Sequence, residues 1–284
     1  SVVLIQPNTD QNKKWSPSER QNIFTQLQQQ SEPYWGADLI VWPEAAVPAI
    51  PQSVSEFLVG IDNRAKVNQT ALLTGIPTKD WQSGKYYNSV LALGAASGQY
   101  DKTRLVPFGE YVPFGHLAAL FGHDFPEFSA GRGPAHIDID GIGRIQPLIC
   151  YEGIFPQFVG RGEVRPDLLI LITNDGWFGA GQGPAQHFAQ ARARAIELGL
   201  PMLRVANRGV TALIDPWGRS RERLDLHERG ALDAPIPKPR AATFYAKNPW
   251  IGVLILVGLL ALGAFIRAQV NLSLTPLGGT FRQP

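Results

Sequence analysis

Residues 144–153 read Arg144-Ile145-Gln146-Pro147-Leu148-Ile149-Cys150-Tyr151-Glu152-Gly153. The apolar part of this stretch has the length of a buried β-strand, and a glycine bounds it. The only cysteine of the chain, Cys150, would stand at the carboxyl end of that strand. A sharp turn there would present its thiol in a cleft, as the nucleophile elbow does with serine. The alternative is that Cys150 is a small buried apolar residue, the commoner role of a free cysteine.

Strands and helices are predicted to alternate on both sides of this stretch. The pattern of residues indicates further strands over 2–8, 38–44, 71–76, 88–93, 99–105, 167–173, 202–206 and 211–214. Periodic patterns indicate helices over 16–31, 53–68 and 184–198. Ser16, Pro17 and Glu19 form a capping-box pattern that favours a helix start at Ser16. Alternation of this kind predicts an α/β fold.

Composition bounds the possible functions. The chain has 284 residues, 44% of them hydrophobic, which is ample for a packed core. A net charge of +2 without a basic run argues against nucleic acid as a partner. A single cysteine excludes an internal disulfide. The chain begins at Ser1 rather than at methionine, so we expect a fragment or a processed product of a longer protein.

The C-terminal part of the sequence resembles a membrane anchor. A proline-rich linker begins at Pro235, and residues 250–266 are continuously apolar and uncharged. A run of about 17 residues is at the short end for a membrane-spanning helix. The alternative is a buried core helix. We therefore predict a catalytic domain over 1–234, a linker over 235–249, a transmembrane helix over 250–266 and a tail over 267–284, with the orientation undecided by charge.

Residues 106–133 break the alternation of strands and helices. This segment is rich in Phe, Gly and Pro, and so long a loop inside a domain is usually functional. We predict that residues 108–128 form an apolar lid that dips into the bilayer surface, with Phe114, Leu117, Leu120 and Phe121 as the contacting side chains. The alternative is that these side chains fold over the domain as a separate apolar cluster.

Ionisable groups are predicted at three strand ends: Glu44, Lys102 and Cys150. A thiol needs a base to become a nucleophile, and a carboxylate can take its proton and later return it. An ammonium can stabilise both the thiolate and the oxyanion of a tetrahedral intermediate. Taken singly, Glu44 and Lys102 would be solvated surface charges. Together with Cys150 they would suffice for acyl transfer.

Three motifs carry a resemblance to a known family: Trp42-Pro43-Glu44, Lys102-Thr103-Arg104-Leu105-Val106-Pro107-Phe108-Gly109-Glu110-Tyr111-Val112-Pro113 and Cys150-Tyr151-Glu152. They resemble the carbon–nitrogen hydrolase (nitrilase) superfamily. Within it, the lysine motif, Asn174-Asp175-Gly176-Trp177-Phe178-Gly179, the Gln186-His187-Phe188 helix and the terminal apolar run resemble the apolipoprotein N-acyltransferases.

The resemblance implies a four-layer αββα sandwich, normally preceded by membrane helices, on the periplasmic side of a bacterial inner membrane. Glu44 matches the family's base, Lys102 its lysine and Cys150 its nucleophile. Supporting positions match Glu110, Glu152, Tyr151, Trp15 and Trp177. The implied reaction moves an acyl chain from a membrane phospholipid, through a thioester on Cys150, to the α-amine of a diacylglyceryl-cysteine at an apolipoprotein N-terminus.

We predict neither a cofactor nor a metal ion, since the histidines lack metal-like spacing with acids or the cysteine. His187 is interpreted as structural, because the family counterpart of its helix does not supply the base. Two other functions remain open. One is a membrane-tethered nitrilase-type amidase that acts on a small amide and needs no apolar loop. The other is a non-catalytic membrane scaffold, which would leave the Glu, Lys and Cys pattern unexplained.

Overall fold

Buried strands supply the centre of the fold. The computed structural model describes residues 1–112, 127–162, 164–179, 181–220 and 222–274. Their strands are β1 (Val2–Gln6), β2 (Leu39–Val41), β3 (Ala71–Lys79), β4 (Tyr86–Gly94), β5 (Gly98–Asp101), β6 (Ile137–Ile139), β7 (Gly143–Ile149), β8 (Leu168–Thr173), β9 (Met202–Ala206), β10 (Thr211–Ile214), β11 (Arg223–Leu224) and β12 (Gly230–Ala234). Their helices are α1 (Gln11–Lys14), α2 (Arg20–Ser31), α3 (Ser55–Val67), α4 (Gly183–Leu198), α5 (Phe244–Lys247) and α6 (Ile251–Leu274).

The strands form two mixed six-stranded sheets. The first has the order β12-β1-β2-β3-β4-β5, and the second has the order β11-β10-β9-β8-β7-β6. In each sheet three central strands are parallel, β1-β2-β3 in the first and β7-β8-β9 in the second. All six residues of β8 are buried, as expected for a strand covered on both faces.

Helices cover the outer faces of the two sheets. Strand β1 contacts β9 and β10, and β4 contacts β7, so the sheets pack against each other. Apolar side chains of α2 and α3, among them Leu27 and Ile61, pack with Ile5, Ile40 and Leu72 of the first sheet. Helix α4 contacts β9 of the second sheet. The predicted four-layer αββα sandwich is confirmed.

The predicted start of the first long helix at Ser16 is wrong. A short helix that was not predicted, α1, comes first, and Asp10 caps it by accepting from Asn12 N at 2.8 Å. Ser16 lies in the turn that follows, and its hydroxyl pairs with the Ser18 hydroxyl at 2.8 Å. The capping oxygen is therefore used locally. Helix α2 begins only at Arg20.

The chain divides into two units, Ser1–Thr243 and Phe244–Pro284. In the second unit, residues Ile251–Gln269 of α6 are long and apolar enough to cross a membrane, with mean hydropathy 2.4, and none of this window is buried. The prediction of one apolar C-terminal helix is therefore confirmed. The division at 234, 249 and 266 stays a prediction. The lid residues Phe114, Leu117, Leu120 and Phe121 lie outside the described residues.

Candidate active site

Cys150 stands where β7 ends and the backbone turns sharply. Its φ is +50°, a left-handed conformation that is uncommon for residues other than glycine. A 3₁₀ segment over Cys150–Ile154 follows directly. Only 7% of the residue is exposed, and it lines a cavity. The local geometry is therefore the strand-to-helix turn that the apolar run and Gly153 predict.

Glu44 follows β2 and lies against Gly75 of β3. Gly75 N donates to Pro43 O at 3.2 Å, and a Cβ at position 75 would come within 2.7 Å of Glu44 Cα. Only glycine leaves room for this approach. Asn88 Nδ2 donates to Glu44 Oε1 at 2.9 Å. No donor among the described residues reaches the buried Oε2, so this oxygen is free to accept a proton.

Lys102 follows β5, where its N donates to Asn88 O at 2.8 Å. Its Nζ lies 2.8 Å from Glu110 Oε1 and 3.8 Å from Glu44 Oε1, and the side chain is only 1% exposed. Burial disfavours the ammonium, but the negative charges of Glu44, Cys150 and Glu110 outweigh burial and raise the pKa of Lys102. The side chain therefore stays charged at neutral pH.

Glu110 connects the lysine to the loop that follows it. Its Oε1 accepts from Lys102 Nζ and, at 3.1 Å, from Asn88 Nδ2. Its Oε2 accepts from Val106 N at 2.8 Å. The carboxylate thus holds the ammonium close to Glu44 and orders the first residues of the predicted loop.

Glu152 is buried between the two sheets. Its Oε1 accepts from Tyr100 OH at 2.6 Å, Thr103 N at 2.7 Å and Arg104 N at 3.0 Å. Its Oε2 accepts from Ile149 N at 2.8 Å. Burial raises the pKa of this carboxyl, and the four donors oppose the effect. Because one oxygen binds residues next to Lys102 and the other binds the residue before Cys150, Glu152 links two of the predicted site residues.

The thiol of Cys150 is protonated at neutral pH. Burial and the charge of Glu44 raise its pKa to about 12, and the opposing effects of Lys102 and Thr173 are smaller. Spontaneous ionisation is therefore negligible near pH 7. Acyl transfer near pH 7 therefore requires a base that takes the proton as the sulfur attacks.

Glu44, Lys102 and Cys150 line one cavity of about 310 Å³ together with Glu110, Tyr151, Trp15 and Trp177. A second cavity of about 330 Å³ shares several lining residues with the first, including Trp15, Phe128 and Trp177. Trp177 is 68% exposed. The structure thus brings the three predicted chemical groups and the predicted aromatic residues to one cleft. Glu152 lies behind this cleft rather than in its lining.

A comparison with protein families identifies the family of the chain. Residues 2–245 match the model of the carbon-nitrogen hydrolase family, which covers most of the chain. The chain belongs to the carbon-nitrogen hydrolase family.

Curated relatives narrow the comparison within this hydrolase family. The chain is 41% identical to the apolipoprotein N-acyltransferase of Azotobacter vinelandii over 259 residues, which cover 87% of this chain and 49% of the relative. It is 38% identical to the enzymes of the same name from Shewanella oneidensis (94% and 55% covered) and Vibrio cholerae (95% and 56% covered). The chain spans about half the length of these bacterial acyltransferases.

Solved structures show the carbon-nitrogen hydrolase fold at lower identity. A superfamily member from Xanthomonas campestris superposes with a TM-score of 0.62 at 21% identity, covering 88% of this chain and 94% of the other. A nitrilase-superfamily protein from Saccharomyces cerevisiae gives 0.60 at 18% identity, covering 81% and 87%. At these identities the comparison concerns the fold alone.

Several polar residues of this carbon-nitrogen hydrolase cavity were missed from the sequence, among them Lys14 and Asn88. Lys14 is 3% exposed, and its Nζ donates to Glu44 O at 2.8 Å. Burial lowers its pKa to about 8, against an opposing effect of Glu44. Asn88 contacts both Glu44 and Glu110. The sequence offered two signals for these residues: Lys14 stands next to Trp15, and Asn88 is a polar residue within an apolar strand.

His187 is buried behind Cys150, where its Nε2 lies 3.2 Å from Cys150 O. The sequence predicted a structural role for it without a partner. Two other histidines, His116 and His123, lie outside the described residues. Within the described parts of the chain, no three His, Cys, Asp or Glu side chains are grouped as metal ligands.

Proposed function

We propose that this chain carries the catalytic machinery of an apolipoprotein N-acyltransferase, with Cys150 as nucleophile, Glu44 as base and Lys102 as oxyanion donor. One observation carries the proposal. A buried thiol, a buried ammonium and a buried carboxylate with one unpartnered oxygen line the same cavity. Curated relatives named apolipoprotein N-acyltransferase support an apolipoprotein as the acyl acceptor. The proposed acyl donor is a membrane phospholipid, and the proposed acceptor carries a diacylated N-terminus.

In the first half-reaction, Glu44 Oε2 takes the thiol proton as Cys150 Sγ attacks the ester carbonyl of the phospholipid. Lys102 Nζ stabilises the oxyanion. The Cys150–Tyr151 peptide assists, because its carbonyl points towards His187, outside the cavity lining, and the N–H of a trans peptide points the opposite way. The tetrahedral intermediate then breaks its bond to the lysophospholipid oxygen. The departing alkoxide receives the proton from Glu44, and the acyl group remains on Cys150 as a thioester.

In the second half-reaction, the α-amine of the acceptor attacks the thioester carbonyl. Glu44 takes a proton from the attacking nitrogen, the carbon–sulfur bond breaks, and the thiolate recovers the proton. The products are an amide and the starting enzyme. The apolar, aromatic lining suits an acyl chain and limits access of water to the thioester. The candidate span of α6 supports a location at a membrane. By resemblance to the bacterial acyltransferases, we propose the inner membrane, with the catalytic domain on the periplasmic side.

The test uses the full-length protein reconstituted in phospholipid vesicles. Intact-protein mass spectrometry should detect one acyl group that hydroxylamine removes, and Cys150→Ala should lack it. Addition of a diacylated peptide should move the acyl group to the peptide amine. An adduct that persists in Cys150→Ala contradicts the nucleophile assignment. Release of free fatty acid with the peptide unchanged would instead support a hydrolase.

A further inference from the structure

A fully buried polar cluster lies behind Cys150, outside the lining of the cavity. It consists of His187 on α4, Asp175 after β8 and Arg204 on β9, which are 4%, 1% and 0% exposed. His187 Nδ1 lies 2.9 Å from Asp175 Oδ1, and Arg204 Nη2 lies 2.7 Å from Asp175 Oδ2. Thr173 Oγ1 adds a donor to Asp175 Oδ1 at 3.1 Å. Three separate elements thus converge on one carboxylate.

The hydrogen-bond partners of the His187 ring indicate which of its nitrogens carries a hydrogen. Its Nε2 faces Cys150 O, and a carbonyl oxygen can only accept, so Nε2 carries a hydrogen in either charge state. The other nitrogen, Nδ1, lies between Asp175 Oδ1 and Arg204 Nη2, the latter at 3.1 Å. The ring is therefore held at both ends. Its donor points at the main chain of the nucleophile.

This donor contacts the backbone at a strained position. A left-handed conformation is unfavourable for a residue with a side chain, and Cys150 has φ +50°. The hydrogen bond from His187 to the Cys150 carbonyl stabilises this turn and so offsets part of the strain. Because the peptide is planar, holding the carbonyl also holds the direction of the Tyr151 N–H.

We propose that His187, oriented by Asp175 and Arg204, is a positioning residue: its Nε2–H holds the Cys150 carbonyl, which maintains the left-handed turn and presents the Tyr151 amide to the oxyanion. This inference rests on the proposed function, since thioester formation is the step it serves. A purely structural role, in which His187 only attaches α4 to the sheet, makes a different prediction. In that case the stability of the protein would change, and the rates of acylation and of alkylation of Cys150 would fall together.

The test compares two substitutions that each keep one end of the ring. His187→Gln retains a donor near the position of Nε2 and loses the bond with Asp175. His187→Asn retains a donor near Nδ1 and loses the bond with Cys150 O. His227→Asn, an exposed histidine on the surface, is the matched control. The folding of each full-length variant is checked by its thermal midpoint.

Two reactions of Cys150 are then measured. Acylation by a soluble p-nitrophenyl ester passes through a tetrahedral oxyanion and releases nitrophenolate. Alkylation by iodoacetamide displaces iodide in one step and forms no oxyanion. Loss of one oxyanion-hole donor typically slows acyl transfer by about 100- to 1000-fold. Because the Tyr151 amide would be misdirected rather than removed, we expect His187→Asn to slow acylation about 10- to 100-fold and to leave alkylation within about threefold. His187→Gln should recover most of the acylation rate.

Equal loss of both reactions in His187→Asn, or no loss of acylation, would overturn the proposal. If His187→Asn does not fold, His187→Gln decides: acylation below a tenth of the wild-type rate with normal alkylation contradicts the positioning role. The soluble ester separates this inference from the proposed function. A wild-type protein that accepts the ester and refuses phospholipid would contradict the lipid substrate without affecting His187.

Discussion

Replacing Glu152 with glutamine changes a buried carboxylate that accepts four hydrogen bonds. Three donors share Oε1, namely Tyr100 OH, Thr103 N and Arg104 N, and Ile149 N occupies Oε2. A glutamine has one oxygen and one NH₂ group. If its oxygen takes the Oε1 position, its NH₂ group faces the Ile149 N–H, donor against donor. The opposite orientation opposes three donors, so loss of the Ile149 bond is the smallest possible damage.

The magnitude follows from these contacts. A hydrogen bond to a charged group contributes about 1.5–3 kcal/mol, and a buried donor left without a partner costs about 1–3 kcal/mol. Bonds to a neutral amide are roughly half as strong as bonds to a carboxylate, so the three remaining bonds weaken as well. Removal of a buried charge offsets part of this loss, since burial raises the pKa of Glu152. We expect Glu152→Gln to lower the free energy of unfolding by about 2–4 kcal/mol.

Catalysis should also suffer, because the released Ile149 amide precedes Cys150 and the weakened Thr103 amide follows Lys102. Small displacements of reacting groups cost up to about 100-fold in rate. Unfolding in urea measures the stability, and nitrophenolate release measures acylation. Tyr100→Phe is the control, since it removes one donor and leaves the carboxylate, at a cost of about 1 kcal/mol. A Glu152→Gln variant as stable and as active as Tyr100→Phe would refute the linking role of Glu152.

Four further outcomes follow from the geometry of the site. Alkylation of Cys150 by iodoacetamide should rise about tenfold per pH unit from pH 7 to 10, since its pKa is about 12; a plateau near pH 8.5 would contradict this pKa. Glu44→Gln should lower that pKa and speed alkylation at pH 9 while it stops thioester formation, because the carboxylate that raises the pKa is also the base. Lys102→Arg should slow acylation about 10- to 100-fold, since a planar guanidinium cannot replace a compact ammonium between Glu44 and Glu110; near-normal rates would mean that positive charge alone suffices. Lys14 binds its proton less tightly when folded, with a pKa of about 8 against 10.5, so between these values the unfolded chain holds the additional proton and wild-type stability rises with pH. Urea titrations should show that the wild-type free energy of unfolding gains about 3 kcal/mol over that of Lys14→Met as the pH rises through this range. If the two proteins instead show parallel curves of stability against pH, the lowered pKa of Lys14 is wrong.

Local pattern was sufficient for the main elements of the fold. A long apolar run predicted β8, because a strand buried on both faces has no polar alternation, and shorter, mostly apolar segments predicted β9 and β10. Helix α4 was predicted almost to the residue, since Gly199 adopts the left-handed conformation that ends a helix. The capping pattern at Ser16 did not start a helix, because the Ser16 hydroxyl pairs with the Ser18 hydroxyl instead of capping a helix N-terminus. Short strands such as β6 and β11 were missed, since their residues carry little signal without a sheet to join.

The types of chemical group in the site were also predictable from sequence, because an acid, a lysine and a cysteine at strand ends are few and distinctive. Their mutual arrangement was not. Glu44, Lys102 and Cys150 come from two different sheets, and only the packing of those sheets places them around one cavity. The free oxygen of Glu44, the buried amine of Lys14 and the contact of His187 with the Cys150 carbonyl depend on distances between residues far apart in the chain. Sequence determined which groups are present, and tertiary structure determined which of them meet, because hydrogen bonds and burial are properties of positions in space.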